Sequence, residues 1–120
     1  MERILIAPEG GLEITVLRND DGVLVRLNGR TTVDSSPHLR DRLLDVLSEE
    51  PSPGVVTVDL TCVTSIEASG IATLIEALKI ARHRQMTFCL QGLGGSVLRL
   101  FQVTGVLALF ESSDCGQKGS

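Results

Sequence analysis

The sequence has few aromatic residues and no cluster of basic ones. Its 120 residues include three Phe, no Tyr and no Trp. We therefore expect an aliphatic core, and the flat side chains on which single-stranded nucleic acid stacks are scarce. The formal net charge at pH 7 is −4, whereas proteins that bind the phosphate backbone carry a basic patch. The sequence predicts no nucleic-acid partner and favours a protein partner with a basic surface.

Cysteine and long apolar runs are scarce as well. The cysteines, Cys62, Cys89 and Cys115, are odd in number and form no C-x-x-C pair, which favours free thiols in a reducing compartment over a disulfide scaffold. The apolar run at 4–7 is too short for a secretion signal, and no stretch approaches the length of a membrane span. We expect a cytoplasmic protein without direct membrane insertion.

The chain does contain enough apolar material for one compact domain. Hydrophobic residues make up 42% of it, which is typical of a globular domain, and a chain of this length can bury one core without metal or disulfides. We expect the domain to span residues 12–110. An N-terminal arm or extra edge strand is expected at 1–11, and a flexible tail at 111–120.

Hydrophobic periodicity predicts strands and helices along the chain. Period-2 patterns predict strands at 12–18 and 23–28, and the turn at 19–22 makes them antiparallel neighbours. Ser36 as a cap and Pro37 in the first turn predict the start of a helix. Further along, the pattern predicts a strand at 86–91, a last helix opened by 92–96 and closed by Gly105, and a short strand or turn at 106–110.

The middle of the chain, residues 55–84, passes from a strand to an amphipathic helix. Val56, Val58 and Leu60 share the buried face of the strand, and Asp59 marks its end. Helical spacing places on the buried stripe Ala68, Ile71, Ala72, Ile75 and Leu78, widened by Leu74 and Ala81, with Thr73 on the opposite face. The order β-β-α-β-α-β-α predicts a single α/β domain, with a mixed, mostly parallel sheet of four to five strands and helices packed on it.

Three segments share a known pattern, in order and at matching separations. They are the run DLTCVTSIEASGIATL at 59–74, the run VLRLFQVTG at 97–105, and Leu27-Asn28-Gly29 followed eight residues later by Pro37. Together they resemble the STAS domain family of bacterial anti-sigma-factor antagonists. The resemblance implies a STAS-like domain that acts in partner switching. Such a domain binds an anti-sigma factor with a serine-kinase-like fold and so frees the sigma factor.

The same resemblance points to the strand–helix junction at 65–70 as the regulatory site. In the family, the regulatory phosphate is placed on the serine directly after an acidic residue, and here that position is Ala68, after Glu67. Ser69 matches the second hydroxyl position, so it is the phospho-acceptor candidate and also a candidate N-cap of the helix. Because Ala68 has no hydroxyl, we further hypothesise that the domain stays permanently in its partner-binding form.

The partner-binding residues are expected on two neighbouring loops. The loop after the second strand stands where the family reads roughly G-E-L-D, and Arg30 reverses the charge of the acidic residue there. The reversal implies a partner whose surface has changed to match, and a merely solvated loop is the alternative. The predicted partner-binding set is Arg30, Thr32, Asp34, Glu67, Ala68, Ser69 and Gly70.

Two other functions stay open at this stage. A stand-alone STAS subunit of a membrane transporter, such as a lipid-exporting ABC system, would dock on an ATPase subunit. A small nucleotide-binding or hydrolytic enzyme would use Ser69 or the glycine-rich loop at 92–95, although the third glycine of a dinucleotide fingerprint falls at Val97. Because His38 and His83 lack ligand spacing, we predict no enzyme, no cofactor and no metal site. A homodimer is left open.

Overall fold

The structure is a computed structural model that describes residues 2–9, 11–20, 22–50 and 54–111. Its strands are β1 (Glu2–Glu9), β2 (Leu12–Asn19), β3 (Gly22–Thr31), β4 (Val55–Ile66) and β5 (Thr87–Gln91). Its helices are α1 (Ser36–Glu49), α2 (Ala68–His83), α3 (Gly95–Val103) and α4 (Leu107–Glu111). The predicted α/β fold is confirmed, and β1 lies in the segment for which an N-terminal arm or an extra edge strand was expected. The short strand or turn predicted at 106–110 is instead helix α4, and residues 112–120 of the predicted tail lie outside the described residues.

The strands form one five-stranded sheet in the order β1-β2-β3-β4-β5. β2 runs antiparallel to both of its neighbours, whereas β3, β4 and β5 are parallel to one another. Parallel neighbours need a crossover connection, and α1 and α2 supply it. The carboxyl ends of β3 and β4 therefore meet at the same edge of the sheet, where the connections to α1 and α2 begin.

One apolar core lies between the sheet and the helices. Ile14, Val25 and Val58 are fully buried in the sheet, and α1 buries the predicted set Leu39, Leu43, Val46 and Leu47. The aromatic residues gather at one end, where the Phe110 ring centroid lies 6.4 Å from that of Phe88 and 6.0 Å from that of Phe101. Among the helices in the described ranges, none is long and apolar enough to cross a membrane.

Strand β4 continues well beyond the end predicted for it. Asp59 lies within the strand, which runs seven residues further to Ile66. Pairing with β5 stops where Asp59 faces Gln91, but pairing with β3 continues until Ile66 faces Thr31. The prediction was wrong because one hydrogen-bonded neighbour suffices to keep a polar segment extended. The segment after Asp59 is hydrophilic because β5 no longer pairs with it, and it is still a strand.

Helix α2 is rotated about its axis relative to the predicted orientation. Ala68 and Ala72, predicted to be buried, are exposed, whereas Thr73, predicted to face solvent, is buried. Burial of large side chains such as Leu74 and Leu78 removes more apolar area from water than burial of alanine, so the larger residues decide which face is buried. Thr73 tolerates burial because its Oγ1 donates to the Ser69 carbonyl oxygen at 3.0 Å.

The cysteines differ in their surroundings. Cys62 is an exposed free thiol on β4, whereas Cys89 is buried in β5 and is disulfide-bonded. The expectation of free thiols throughout is therefore wrong at Cys89. An odd number of cysteines without C-x-x-C spacing could not reveal this, because disulfide pairing depends on how the fold brings the sulfur atoms together.

Candidate functional site

Two strand–helix connections lie side by side at the carboxyl end of the sheet. Thr31, the last residue of β3, pairs with Ile66, the last residue of β4. The Glu67 backbone N–H donates to the Thr31 carbonyl oxygen at 2.8 Å and extends this pairing by one residue. We call Thr32–Ser35 the β3–α1 turn and Glu67–Gly70 the β4–α2 junction. The structure thus brings together the two segments predicted to bind a partner, but Arg30 belongs to β3 and not to the predicted loop, because pairing with β4 keeps the chain extended to Thr31.

The β3–α1 turn is held by its own hydroxyl groups. Thr32 Oγ1 accepts from the backbone N–H groups of Asp34 at 3.2 Å and Ser35 at 3.3 Å. Ser35 Oγ donates to the Arg30 carbonyl oxygen at 2.9 Å and accepts from the Thr32 N–H at 2.8 Å. The N-cap of α1 is Ser35, one residue before the predicted Ser36. These bonds hold Thr32 inside the turn, so its hydroxyl is already engaged within the chain.

Glu67 connects the two loops. It is the N-cap residue of α2, with extended backbone (φ −100°, ψ 171°), and its side chain does not bond to its own helix. Instead, Glu67 Oε1 accepts the backbone N–H of Val33 at 3.1 Å. The carboxylate also lies near the positive end of the α2 dipole, which favours a negative charge there. Glu67 is therefore an exposed charge that fixes the neighbouring turn.

Ser69 has a different position from the one predicted. It is not the N-cap but lies in the first turn of α2, so the predicted capping role is wrong. Because Glu67 is the last extended residue, the helix already includes Ser69. Its Oγ is hydrogen-bonded to Ser36 Oγ at 2.9 Å, and Ser36 Oγ also donates to the Thr32 carbonyl oxygen at 2.6 Å. The half-buried Ser69 hydroxyl thus joins the first turns of α1 and α2.

Gly70 shapes the β4–α2 junction from inside. A Cβ atom added to Gly70 would lie 2.5 Å from Thr31 Oγ1 and 2.9 Å from Thr31 Cβ. The first turn of α2 therefore lies directly against β3. Gly70 is itself buried, so it supports the surface and offers no side chain for contact. Within the described part of the chain, the buried Thr31 Oγ1 has no hydrogen-bond partner.

The exposed part of the site combines charged and apolar groups. Val33 is 69% exposed, and its exposed neighbours are Arg30, Asp34, Glu67 and Ala68. Neither Val33 nor Ser36 was predicted as a site residue, although Ser36 was predicted as the cap of the first helix. Ser36 belongs to a run of hydroxyl residues that could have indicated a hydrogen-bonded turn, but one valine among polar residues carries no such signal.

A salt bridge joins the two helices behind the site. Arg40 of α1 contacts Glu76 of α2 through two bonds, Nε to Oε1 at 3.0 Å and NH2 to Oε2 at 2.9 Å. The hydrogen bond from Arg40 lowers the pKa of Glu76, and the same bond raises the pKa of Arg40. Both side chains are about half exposed, and pairs on the surface contribute little stability. The pair therefore links the surfaces of α1 and α2 without adding much to the free energy of unfolding.

The glycine-rich loop between β5 and α3 lies away from these two loops. The last residue of β5 faces Asp59 of β4. From Asp59, β4 continues for seven residues to its carboxyl end, which is about 20 Å along an extended strand. Gly92 has φ +77°, and an added Cβ would lie 2.1 Å from Thr61 Oγ1 and 2.6 Å from Thr61 N. Close packing thus explains this glycine without a bound nucleotide. In the ranges that the structure covers, no group of three His, Cys, Asp or Glu side chains is arranged to hold a metal ion.

Asp59 anchors this second junction. Its carboxylate accepts from the Thr61 N–H at 3.0 Å, from Thr61 Oγ1 at 2.6 Å and from Arg26 Nε at 3.2 Å. Burial raises the pKa of Asp59, but the hydrogen bonds from Thr61 and Arg26 together outweigh burial, so the net pKa is lowered. These hydrogen bonds explain why the carboxylate is buried, and the explanation needs no catalytic role.

Comparison with known proteins gives a consistent picture. A family model described as "Mlab, STAS domain" matches residues 14–111. The anti-sigma-B factor antagonist of Listeria monocytogenes is 28% identical over 94 residues, covering 78% of this chain and 81% of that protein. An anti-sigma-factor antagonist (STAS) domain protein from Planctomyces limnophilus has a similar fold, with a TM-score of 0.70 at 18% identity, covering 81% and 86% of the two chains.

The fold also occurs in a transporter-related protein. A sulfate transporter family protein from Wolinella succinogenes superimposes with a TM-score of 0.61 at 22% identity, covering 72% of this chain and 69% of that one. At this level of identity the likeness concerns the fold alone. The family model, in contrast, spans β2 to α4 and both strand–helix connections of the site. It confirms the resemblance seen in the sequence, and the chain belongs to the STAS domain family.

Proposed function

We propose that this STAS domain is an anti-sigma-factor antagonist that binds an anti-sigma factor with a serine-kinase-like fold, so that the sigma factor is released. The observation that carries the proposal is the exposed β4–α2 junction, where Glu67 and Ala68 are exposed and Glu67 is bonded to the β3–α1 turn. Support also comes from the Listeria relative, which is named an anti-sigma-B factor antagonist.

The geometry suits association rather than catalysis. The turn is cross-linked by Thr32, Ser35 and Glu67 before any partner arrives, so binding costs little additional conformational entropy. The exposed groups are charges of both signs around apolar side chains, which is the usual composition of a protein-binding surface. We therefore propose that the partner contacts Arg30 at the end of β3, Asp34 in the β3–α1 turn, and Glu67, Ala68 and Ser69 in the β4–α2 junction.

The proposal includes a binding state that phosphorylation does not switch off at the usual position. Ala68 has no hydroxyl to phosphorylate, and the Ser69 hydroxyl is half-buried and bonded to Ser36 Oγ at 2.9 Å. A phosphate on Ser69 would have to break that bond and would lie near the Glu67 carboxylate, an unfavourable like charge. The domain therefore stays competent to bind while the kinase-like partner is active.

The test is calorimetric titration of the full chain with the cognate anti-sigma factor. We expect saturable binding that Ser69→Asp weakens by at least about tenfold, because a charge in place of the half-buried hydroxyl is unfavourable there and displaces the first turn of α2 from Ser36. Ser48→Asp, on the exposed far end of α1, is the matched control and should bind as the unaltered chain does. No binding by the unaltered chain would refute the antagonist role.

A second measurement tests permanent competence separately. The chain is incubated with the anti-sigma factor and ATP, and its mass and binding are then measured. We expect no added phosphate and unchanged affinity. A phosphate on Ser69 that abolishes binding would contradict permanent competence while leaving the antagonist role intact.

A stand-alone STAS subunit of a transporter is the second candidate, because the fold also occurs in the Wolinella sulfate transporter family protein. In that case the same exposed junction would dock on a cytoplasmic ATPase subunit, as in a lipid-exporting ABC system. Copurification from native cells distinguishes the two functions. Recovery of an ATPase subunit without an anti-sigma factor would favour the transporter.

A further inference from the structure

The side chain of Val33 is exposed in the middle of the β3–α1 turn. It is 69% exposed, although its turn is held by hydrogen bonds on both sides. A single exposed valine is ordinary on a protein surface, and Val103 at the end of α3 is 71% exposed. What distinguishes Val33 is that it lies between the two loops of the proposed binding site and has little freedom to move away.

Val33 is held in place through its backbone. Its N–H donates to Glu67 Oε1 at 3.1 Å, which ties it to the β4–α2 junction. On the two sides of Val33, the Thr32 N–H donates to Ser35 Oγ at 2.8 Å and the Asp34 N–H donates to Thr32 Oγ1 at 3.2 Å. Because these backbone N–H groups are satisfied within the chain, the backbone of the turn is held in place and the Val33 side chain stays exposed.

Two carboxylates lie beside Val33, that of Glu67 through its bond to the Val33 backbone and that of the next residue, Asp34. Glu67 uses Oε1 for the Val33 N–H, and its other carboxylate oxygen has no hydrogen-bond partner among the described residues. Asp34 is exposed next to Val33 in the chain, whereas the Arg30 guanidinium lies beside Gly11, 3.8 Å from the position of a Cβ there. An apolar centre with a polar rim is the usual anatomy of a protein interface.

We propose that Val33 is the apolar anchor of the interface and inserts into an apolar pocket of the anti-sigma factor that is bordered by a Lys or Arg side chain facing Glu67 and Asp34. The inference rests on the proposed function and adds the chemistry of the partner surface. Two carboxylates beside the anchor favour a cation at that border. Glu67 acts as a positioning residue for Val33 through one oxygen and as a contact through the other.

Titration of the anti-sigma factor with Val33 variants tests the anchor. We expect Val33→Ala to weaken binding about tenfold, because it removes two methyl groups from the apolar contact. Val33→Asp should weaken binding about 100-fold, because it puts an unpaired charge into the apolar pocket. Val103→Asp is the matched control, since it places the same charge at an equally exposed valine outside the site, and it should bind within about twofold of the unaltered chain. Urea unfolding verifies that each variant is folded.

The outcomes separate this inference from the proposed function. If the unaltered chain binds the anti-sigma factor and Val33→Asp binds equally well, the anchor is refuted and the antagonist role stands. If both valine-to-aspartate variants weaken binding equally, the effect is one of overall charge, and the anchor is again refuted. If the unaltered chain does not bind at all, the proposed function and the anchor both fail.

Glu67→Gln tests the basic border of the pocket. An amide oxygen at this position can still accept the Val33 N–H, so the turn keeps its shape while the charge is removed. We expect a loss of several-fold in affinity and a weaker dependence of binding on salt concentration. An unchanged salt dependence would refute the basic border, although the apolar pocket would stand.

Discussion

The connections that follow β4 and β5 both lead from a strand into a helix, but they are held in place differently. The β4–α2 junction is joined to the β3–α1 turn by side-chain hydrogen bonds, Glu67 to Val33 and Ser36 to Ser69. The β5–α3 loop is packed at Gly92 but open around Gly94 and Gly95, where an added Cβ would meet nothing within 4 Å. A glycine-rich loop before a helix is therefore insufficient evidence for a binding site. The cross-linked junction presents fixed groups to a partner.

The largest expected loss in the free energy of unfolding comes from a substitution at Gly92, at the packed end of the β5–α3 loop. Gly92→Ala puts a Cβ 2.1 Å from Thr61 Oγ1 at φ +77°, so strain and overlap together should cost about 3 kcal/mol or more in the free energy of unfolding. Gly95→Ala, at φ +55° in open space, should cost only about 1 kcal/mol. Urea unfolding measures both, and equal losses would show that close packing at Gly92 is unimportant.

Substitution of Gly70, in the β4–α2 junction, should have a smaller effect on the free energy of unfolding. Alanine is the better helix former by about 1 kcal/mol, but an alanine Cβ at position 70 would lie 2.5 Å from Thr31 Oγ1 and 2.9 Å from Thr31 Cβ. We expect Gly70→Ala to lower the free energy of unfolding by about 1 to 2 kcal/mol. Adding Thr31→Ala removes the nearer atom and should recover part of the loss. A stabilised Gly70→Ala variant would contradict the close contact of α2 with β3.

Asp59, beside the β5–α3 loop, makes the free energy of unfolding dependent on pH. Because the pKa of Asp59 is lower in the folded state, its stabilising effect is complete above the unfolded pKa of about 3.9 and is lost as pH falls through the folded pKa. Asp59→Asn should lower stability at neutral pH by about 1 to 2 kcal/mol and flatten the decline below about pH 4. Unfolding curves across this range test it. Asp41→Asn removes an exposed carboxylate of α1 and should leave the decline in stability below about pH 4 unchanged.

The smallest expected effect on stability lies at the Glu67 bond. Glu67→Ala removes an exposed hydrogen bond and should cost about 0.5 to 1 kcal/mol. The sharper measurement is NMR hydrogen exchange, in which the Val33 amide should exchange faster in Glu67→Ala but not in Glu67→Gln. The Thr32 amide, bonded to Ser35 Oγ, is the internal control. Equal Val33 exchange in all three chains would mean that Glu67 does not hold the turn.

The errors of the sequence analysis occur where neighbouring elements meet. The hairpin, the buried face of α1 and the α/β order followed from periodicity and turn residues alone. The end of β4 was wrong because β3 keeps pairing beyond Asp59. The predicted cap of α2 was wrong because Glu67 is the last extended residue, bonded through its N–H to the end of β3, so that Ser69 is already helical. Such boundaries depend on a partner strand that is distant in sequence.

The sequence by itself determined the fold class, the family and the residues from which a binding site could be built, because apolar spacing and short motifs are local properties. The tertiary structure alone decided that Glu67 holds Val33, that Ser69 meets Ser36 and that Gly70 lies beneath the surface against Thr31. These contacts join residues more than 30 positions apart. They exist only after parallel pairing of β3 and β4 brings both strand ends to one edge.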